Sequence, residues 1–143
     1  MKESEFSATK EALHEILEAV EHEISKYVGE RRLKNRLKVS AEEILTNIIS
    51  YAYPDTGGKI YVSCEFLNEK QELRFEFVDE GIPYNPLEEQ PEVDLEADLD
   101  SRSIGGLGIF IYMTVMDHLE YKYENGQNHL IACKKLKEAE LVG

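Results

Sequence analysis

Three groups of residues have types and spacings that could do chemistry. Gly105-Gly106-Leu107-Gly108 opens a run, IFIYMTVMD, with helical character. Glycines let successive backbone amides converge, and a helix N-terminus offers unpaired N–H groups and a favourable dipole to a phosphate. No GK[ST] follows and no strand immediately precedes, so the cluster is neither a Walker A loop nor a dinucleotide fingerprint. Asp79-Glu80-Gly81-Ile82-Pro83 directly follows an apolar strand-like run. A carboxylate at a strand end can accept a hydrogen bond from an exocyclic amine such as that of adenine, and the nearby glycine lets backbone approach a flat ring. Asp and Gly are also ordinary turn residues. Finally, Glu43 and Asn47 are four residues apart, with Ala41, Ile44, Leu45, Ile48, Ile49 and Ala52 on roughly the opposite arc of a helical wheel. That places both polar side chains on one face, although any surface helix shows a polar pair opposite an apolar stripe.

The elements that must carry these groups follow from periodicity. Leu13, Ile16, Leu17, Val20, Ile24 and Tyr27 recur at spacings of three and four, which predicts an amphipathic helix over 8–28 stopped by Gly29. A second helix is expected from Glu30 to Ala52, with a break allowed near Val39 and Pro54 beyond its end. The period then changes to two in KIYVSCEF (59–66) and ELRFEFVD (72–79), an antiparallel pair flanking the turn-like Asn68-Glu69-Lys70. Between Glu80 and Ser103, Pro83, Pro86 and Pro91 interrupt any pattern, and a loop of that length in a compact domain is functional or disordered. After the glycine-led third helix come strands around 119–123 and 130–135, joined by Glu124-Asn125-Gly126. The order implies one α+β domain over 1–143, a two-layer sandwich with helices on one face of a mixed, largely antiparallel sheet.

With 143 residues, 42% of them hydrophobic, the chain can build a core without disulfide staples. A net charge of −13 repels nucleic-acid backbone, so the expected partners are proteins, small molecules or metal-complexed anions. No run approaches the ~20 apolar residues of a membrane span, and the polar start MKESEFSATKEALHE does not read as a signal peptide; a cytoplasmic protein is the expectation. Cys64 and Cys133 read as small buried hydrophobes, and the four histidines lack metal-ligand spacing.

Taken together, in this order and at these separations, the three groups resemble the GHKL (Bergerat-fold, histidine-kinase-like) ATPase superfamily. EEILTN looks like its N-box, VDEGIP its first glycine box and GGLGIF its second, with the segment at about 85–104 in the place of the ATP lid. NIISYAYP, VDEGIPYNP, GGLGIFIYMTVMD and GQNHLIACKKL are most similar to the anti-sigma-factor serine/threonine kinase branch of bacterial partner-switching systems, and the likeness runs over roughly 8–136. The resemblance implies ATP and Mg²⁺ as cofactors, with Asn47 giving its side-chain oxygen to the metal and Glu43 orienting and deprotonating the attacking hydroxyl. It implies that Asp79 reads the adenine amine, that Gly81 packs under the ring, and that Gly106, Leu107, Gly108 and Ile109, with Gly105 beside them, present amides to phosphates. Tyr51, Tyr84 and Asn128 would line the pocket. Pro83 stands where the superfamily usually has a second glycine, a change common in this branch. The lid carries Glu88, Glu89, Glu92, Asp94, Glu96, Asp98 and Asp100, with Arg102 its only basic residue and the candidate phosphate contact.

The implied function is phosphorylation of a small antagonist (STAS-like) protein together with sequestration of a sigma factor by a homodimer. A second possibility is a nucleotide-sensing interaction module without kinase activity. A third, a histidine-kinase fragment with His14 as phospho-acceptor, is disfavoured: HEILEA lacks the basic and proline residues that follow such a histidine.

Overall fold

Leu13–Tyr27 forms α1, and its stripe of Ile16, Leu17, Val20 and Ile24 is buried as the spacing requires. Arg31–Asn47 forms α2, whose N-cap Glu30 accepts hydrogen bonds through its side chain from the amides of Arg32 and Leu33. The computed structural model describes residues 1–55, 57–88 and 104–143, with the backbone alone for 104–107. Three differences from expectation occur in this half. A strand, β1 (Ser4–Ser7), precedes the first helix, which therefore starts at Leu13 rather than residue 8. Four residues are too few to display a period, and β1 exists because it pairs along β2 (Lys59–Leu67) from Ser4↔Val62 to Ser7↔Lys59. The second helix is unbroken at Val39, and it ends at Asn47 by widening into a π-helical turn, Ile48–Ala52. Such turns are rare and concentrate at functional sites.

β2 and β3 (Glu72–Asp79) pair antiparallel, and β3 in turn pairs with β5 (Gln127–Lys135) rather than with its next neighbour in sequence, β4 (His118–Glu124). The order is β1-β2-β3-β5-β4. Every described pairing is antiparallel, so the largely antiparallel sheet has no parallel member among the described strands. The turn Asn125-Gly126 joins β4 to β5 with both residues at positive φ, 53° and 76°, the geometry that an Asn-Gly hairpin turn is suited to. The third helix, α3 (Ile104–Val115), lies against α2 and buries Ile109 and Tyr112.

The core lies between the three helices and one face of the sheet. Register sets that face: Ile60 opposite Asp79 and Asn128, then Val62, Phe77 and Leu130, then Cys64, Phe75 and Ala132. Cys133 is on the other face, opposite Arg74, so both thiols are buried but separated by the sheet. Burial pushes each thiol up to about 12, which leaves them protonated and inert. No helix among the described residues is long and apolar enough to cross a membrane.

Candidate active site

The polar end of this otherwise apolar face is where the sequence motifs meet. Asp79 ends β3 directly across from Asn128 on β5, and both are buried, at 2% and 4% exposure. Asn128 Nδ2 donates to Asp79 Oδ1 (2.8 Å) and to the Ile82 carbonyl (2.8 Å). Its Oδ1 accepts from the Tyr84 amide (3.0 Å) and from the Tyr121 hydroxyl. Those four bonds use the full donor and acceptor capacity of a carboxamide. Asn128 therefore holds the Ile82–Tyr84 segment and Asp79 in fixed relation, rather than presenting a free polar group to a pocket. Burial raises the Asp79 carboxyl above its ordinary value, opposed by the bonds from Asn128 and from the Gly81 amide.

Gly81 is required for a reason internal to the fold. A Cβ there would overlap the Ala52 carbonyl oxygen and sit 2.7 Å from the Ala52 carbonyl carbon. The π-helical turn ends at Ala52, whose carbonyl accepts from the Ile82 amide at 2.9 Å. Tyr51, on the same turn and 49% exposed, stacks on buried Tyr84 with centroids 5.3 Å apart. Tyr53 fastens the same corner: its hydroxyl donates to the Lys59 carbonyl (2.7 Å) and accepts from the Glu80 amide (2.6 Å).

On α2, Glu43 is half-buried and makes no hydrogen bond or ion pair with a described residue. Burial raises its carboxyl above 4.5, helped by the neighbouring charge of Glu42. One turn on, Asn47 is 3% exposed. Its Nδ2 donates to the Tyr112 hydroxyl (3.4 Å) while its Oδ1 accepts no bond from a described residue. The α3 backbone closes over this pair. A Cβ on Gly108 would lie 2.7 Å from the Glu43 carboxyl carbon, so Gly108 provides the room that the carboxylate occupies. The orphan amides of an α-helix lie at its start, and in α3 Ile104, Gly105 and Gly106 stand in the first turn. Gly108 and Ile109 lie in the second turn, and Ile109 packs into the core at 5% exposure. Arg102 and the acidic residues from Glu89 to Asp100 lie outside the described residues.

This donor set fits a Mg²⁺–nucleotide. A carboxamide oxygen that accepts no bond from a described residue is a hard ligand for Mg²⁺, a carboxylate with a raised pKa and no ion pair among the described residues is suited to take a proton, and the start of α3 offers the positive end of a helix to a phosphate. The sequence reading missed Tyr53, Tyr112 and Tyr121. Tyr112 could have been found, since it is four residues past Gly108 and shares its helix face; the contacts of Tyr53 and Tyr121 are made across the chain and leave no local signal. His14, the disfavoured phospho-acceptor, is an exposed side chain on α1 paired with Glu18 at 2.9 Å.

A family model described as "Histidine kinase-like ATPase domain" matches residues 6–134. The chain is similar to "Serine-protein kinase RsbW" of Listeria monocytogenes, 28% identical over 109 residues, 73% of this chain and 68% of that one. It is similar to "Serine/threonine-protein kinase BtrW" of Bordetella bronchiseptica, 28% identical over 126 residues that cover 88% and 87% of the two chains. Among solved structures, the histidine kinase domain of Erythrobacter litoralis EL346 superposes with a TM-score of 0.51 at 16% identity. That likeness covers 87% of this chain and 59% of that one. Acinetobacter baumannii histidine kinase AdeS gives the same TM-score over 96% and 70%. At such identities these structures speak to the fold.

Proposed function

The chain belongs to the histidine kinase-like ATPase domain family, and from that premise we propose that it binds ATP with Mg²⁺ and phosphorylates a serine or threonine of a small antagonist protein. The observation that carries this reading is the pairing of Glu43 with Gly108. An acid with no ion pair among the described residues is held against Gly108 in α3, one helical turn from an Asn47 oxygen that accepts no bond from a described residue. The names of the relatives, serine-protein and serine/threonine-protein kinases, support the same reading.

In this reading Asn47 Oδ1 is a ligand of Mg²⁺, and the amides of Gly105, Gly106 and Leu107 receive phosphate oxygens. Asp79, fixed by Asn128 and the Gly81 amide, accepts from the exocyclic amine of adenine. Tyr51 and Tyr84 wall the base. Glu43 takes the proton of the incoming hydroxyl, and burial together with the Glu42 charge makes it more basic than an ordinary carboxylate. Bound Mg²⁺ supplies charge neutralisation of the phosphates. The regulatory half of the proposal is sequestration of a sigma factor by a homodimer, with nucleotide state choosing between that partner and the antagonist.

Isothermal titration of ATP with and without Mg²⁺, beside Asn47→Ala, tests the site. The expected result is Mg²⁺-dependent binding that Asn47→Ala weakens. A transfer assay with a candidate antagonist and Glu43→Ala tests the chemistry: ATP binding persists and transfer disappears. Unchanged transfer in Glu43→Ala removes Glu43 from its role, and binding without transfer by the unmodified protein leaves a nucleotide-sensing interaction module.

A further inference from the structure

The start of α2 breaks a local rule. Arg31, Arg32, Lys34 and Arg36 crowd its first turns with no acidic residue in the first turn. Cations there oppose the positive end of the helix dipole, and like charges at i,i+4, as in Arg32 and Arg36, repel one another. The Glu30 carboxylate caps the helix, but in a chain of net charge −13 the cations that follow it remain a local departure from that balance.

Two of these cations, Arg32 and Arg36, line a groove of about 800 Å³ between α2 and the end of β5. Arg32, Arg36, Lys134, Lys135 and Lys137 face three carboxylates, Glu30, Asp117 and Glu140. Each of the three is occupied by the fold itself. Glu30 caps α2, Asp117 accepts from the Lys135 amide and pairs with Lys134, and Glu140 accepts from the Lys137 amide. Arg32, Arg36, Lys135 and Lys137 form no ion pair among the described residues, and all four are exposed. The groove therefore presents net positive charge on a strongly acidic protein.

Its neighbour supplies an apolar floor. A second cavity of about 560 Å³ shares Leu33, Arg36 and Lys134 with the first and continues along α3 past Phe110, Ile111 and Val115. α3 buries Ile109 and Tyr112 on one side yet leaves Phe110 51% and Met113 41% exposed on another. A helix apolar around its circumference is one that expects a cover.

We infer that this continuous basic and apolar groove, formed by the start of α2, the outer side of α3 and the end of β5, docks an acidic amphipathic helix of a partner protein. Apolar side chains at i, i+3 and i+4 of that helix enter between Leu33, Phe110 and Val115. Its carboxylates meet Arg32, Arg36, Lys135 and Lys137, where planar guanidinium groups favour carboxylate geometry. None of these residues belongs to the Glu43–Asn47–Asp79 site, so the inference does not depend on the nucleotide reading.

The test is fluorescence anisotropy with the full chain and a labelled synthetic peptide of roughly four helical turns, with leucines at i, i+3, i+4 and i+7 and glutamates opposite. A scrambled peptide of equal composition and a single-stranded oligonucleotide of equal charge are the controls. The expected result is saturable binding of the patterned peptide alone. That binding weakens about tenfold in Arg32→Gln/Arg36→Gln and in Phe110→Ser, and falls as salt rises. The Arg variant changes only exposed side chains, so it remains informative if Phe110→Ser folds poorly. Equal binding of the scrambled peptide, binding unaffected by the Arg variant, or preference for the oligonucleotide overturns the inference. Titration of ATP into the Arg variant, expected to match the unmodified protein, separates this outcome from failure of the nucleotide site.

Discussion

Replacing Asn128 probes whether the adenine end of the site is held by one carboxamide. Asn128→Ala deletes four hydrogen bonds, of which those to Asp79 Oδ1 and the Tyr84 amide are buried and those to Ile82 O and Tyr121 are partly so. Each bond contributes about 1 kcal/mol net, and a buried partner left unsatisfied costs about 1–3 kcal/mol, whereas the partly buried ones can be rehydrated. The expected loss is therefore about 3–5 kcal/mol, a large share of the ~5–15 kcal/mol typical of a domain. With a urea slope of about 2 kcal/mol/M the midpoint falls by about 2 M. Asn128→Asp keeps the shape but turns an oxygen toward Asp79 Oδ1 and Ile82 O, where Nδ2 stood at 2.8 Å from each. Two carboxyl groups there share a proton, so one titrates well above the ordinary 3.8. A raised folded-state pKa means the stability is present below about pH 3.8 and is lost as pH rises through the raised value. Urea melts at pH 4 and pH 7 should show Asn128→Asp more costly at pH 7 by more than about 1 kcal/mol. A loss below about 1 kcal/mol in Asn128→Ala, or an Asn128→Asp cost independent of pH, would refute the clamp.

Gly81→Ala and Gly108→Ala should separate in kind. The first meets Ala52 main chain and should cost about 1–3 kcal/mol in a denaturant melt, while the second meets only the flexible end of Glu43 and should cost less than about 1 kcal/mol yet depress phosphoryl transfer by displacing that carboxylate. Because burial and Glu42 raise the Glu43 pKa above 4.5, the transfer rate should fall as pH drops through the raised value, and a pH–rate profile lacking an acid limb above 4.5 would remove Glu43 as the base. Gly126→Ala places a side chain at φ 76° in open space, so it should lose about 1–2 kcal/mol of stability with ATP affinity unchanged in the same titration.

Periodicity was enough to reveal the first two helices and the β2–β3 pair, because each is specified by contacts three, four or two residues away, while α3 showed as an apolar run behind a glycine cluster and the β4–β5 pair by its turn. Leu13 to Tyr27 displays its buried stripe in the order of the residues, and Asn125-Gly126 announces its turn by the backbone angles those residues tolerate. The positions of Glu43, Asn47, Asp79 and the glycine cluster were likewise legible, as spacing and residue type, and the family they point to followed from their order.

Tertiary structure alone decided what these residues touch. Insertion of β5 between β3 and β4 brings Asn128 opposite Asp79, across 49 residues of chain, and no local signal encodes a pairing of that separation. Gly81 is legible as a glycine that something must approach, but the approaching group within the fold is the Ala52 backbone, delivered by a π-helical turn that has no period to read. The groove beside α2 shows the same division. Its cations are visible in RRLKNR and KKLK, whereas the engagement of Glu30, Asp117 and Glu140, with Arg32, Arg36, Lys135 and Lys137 outside any ion pair among the described residues, rests on hydrogen bonds that exist only once the chain has folded.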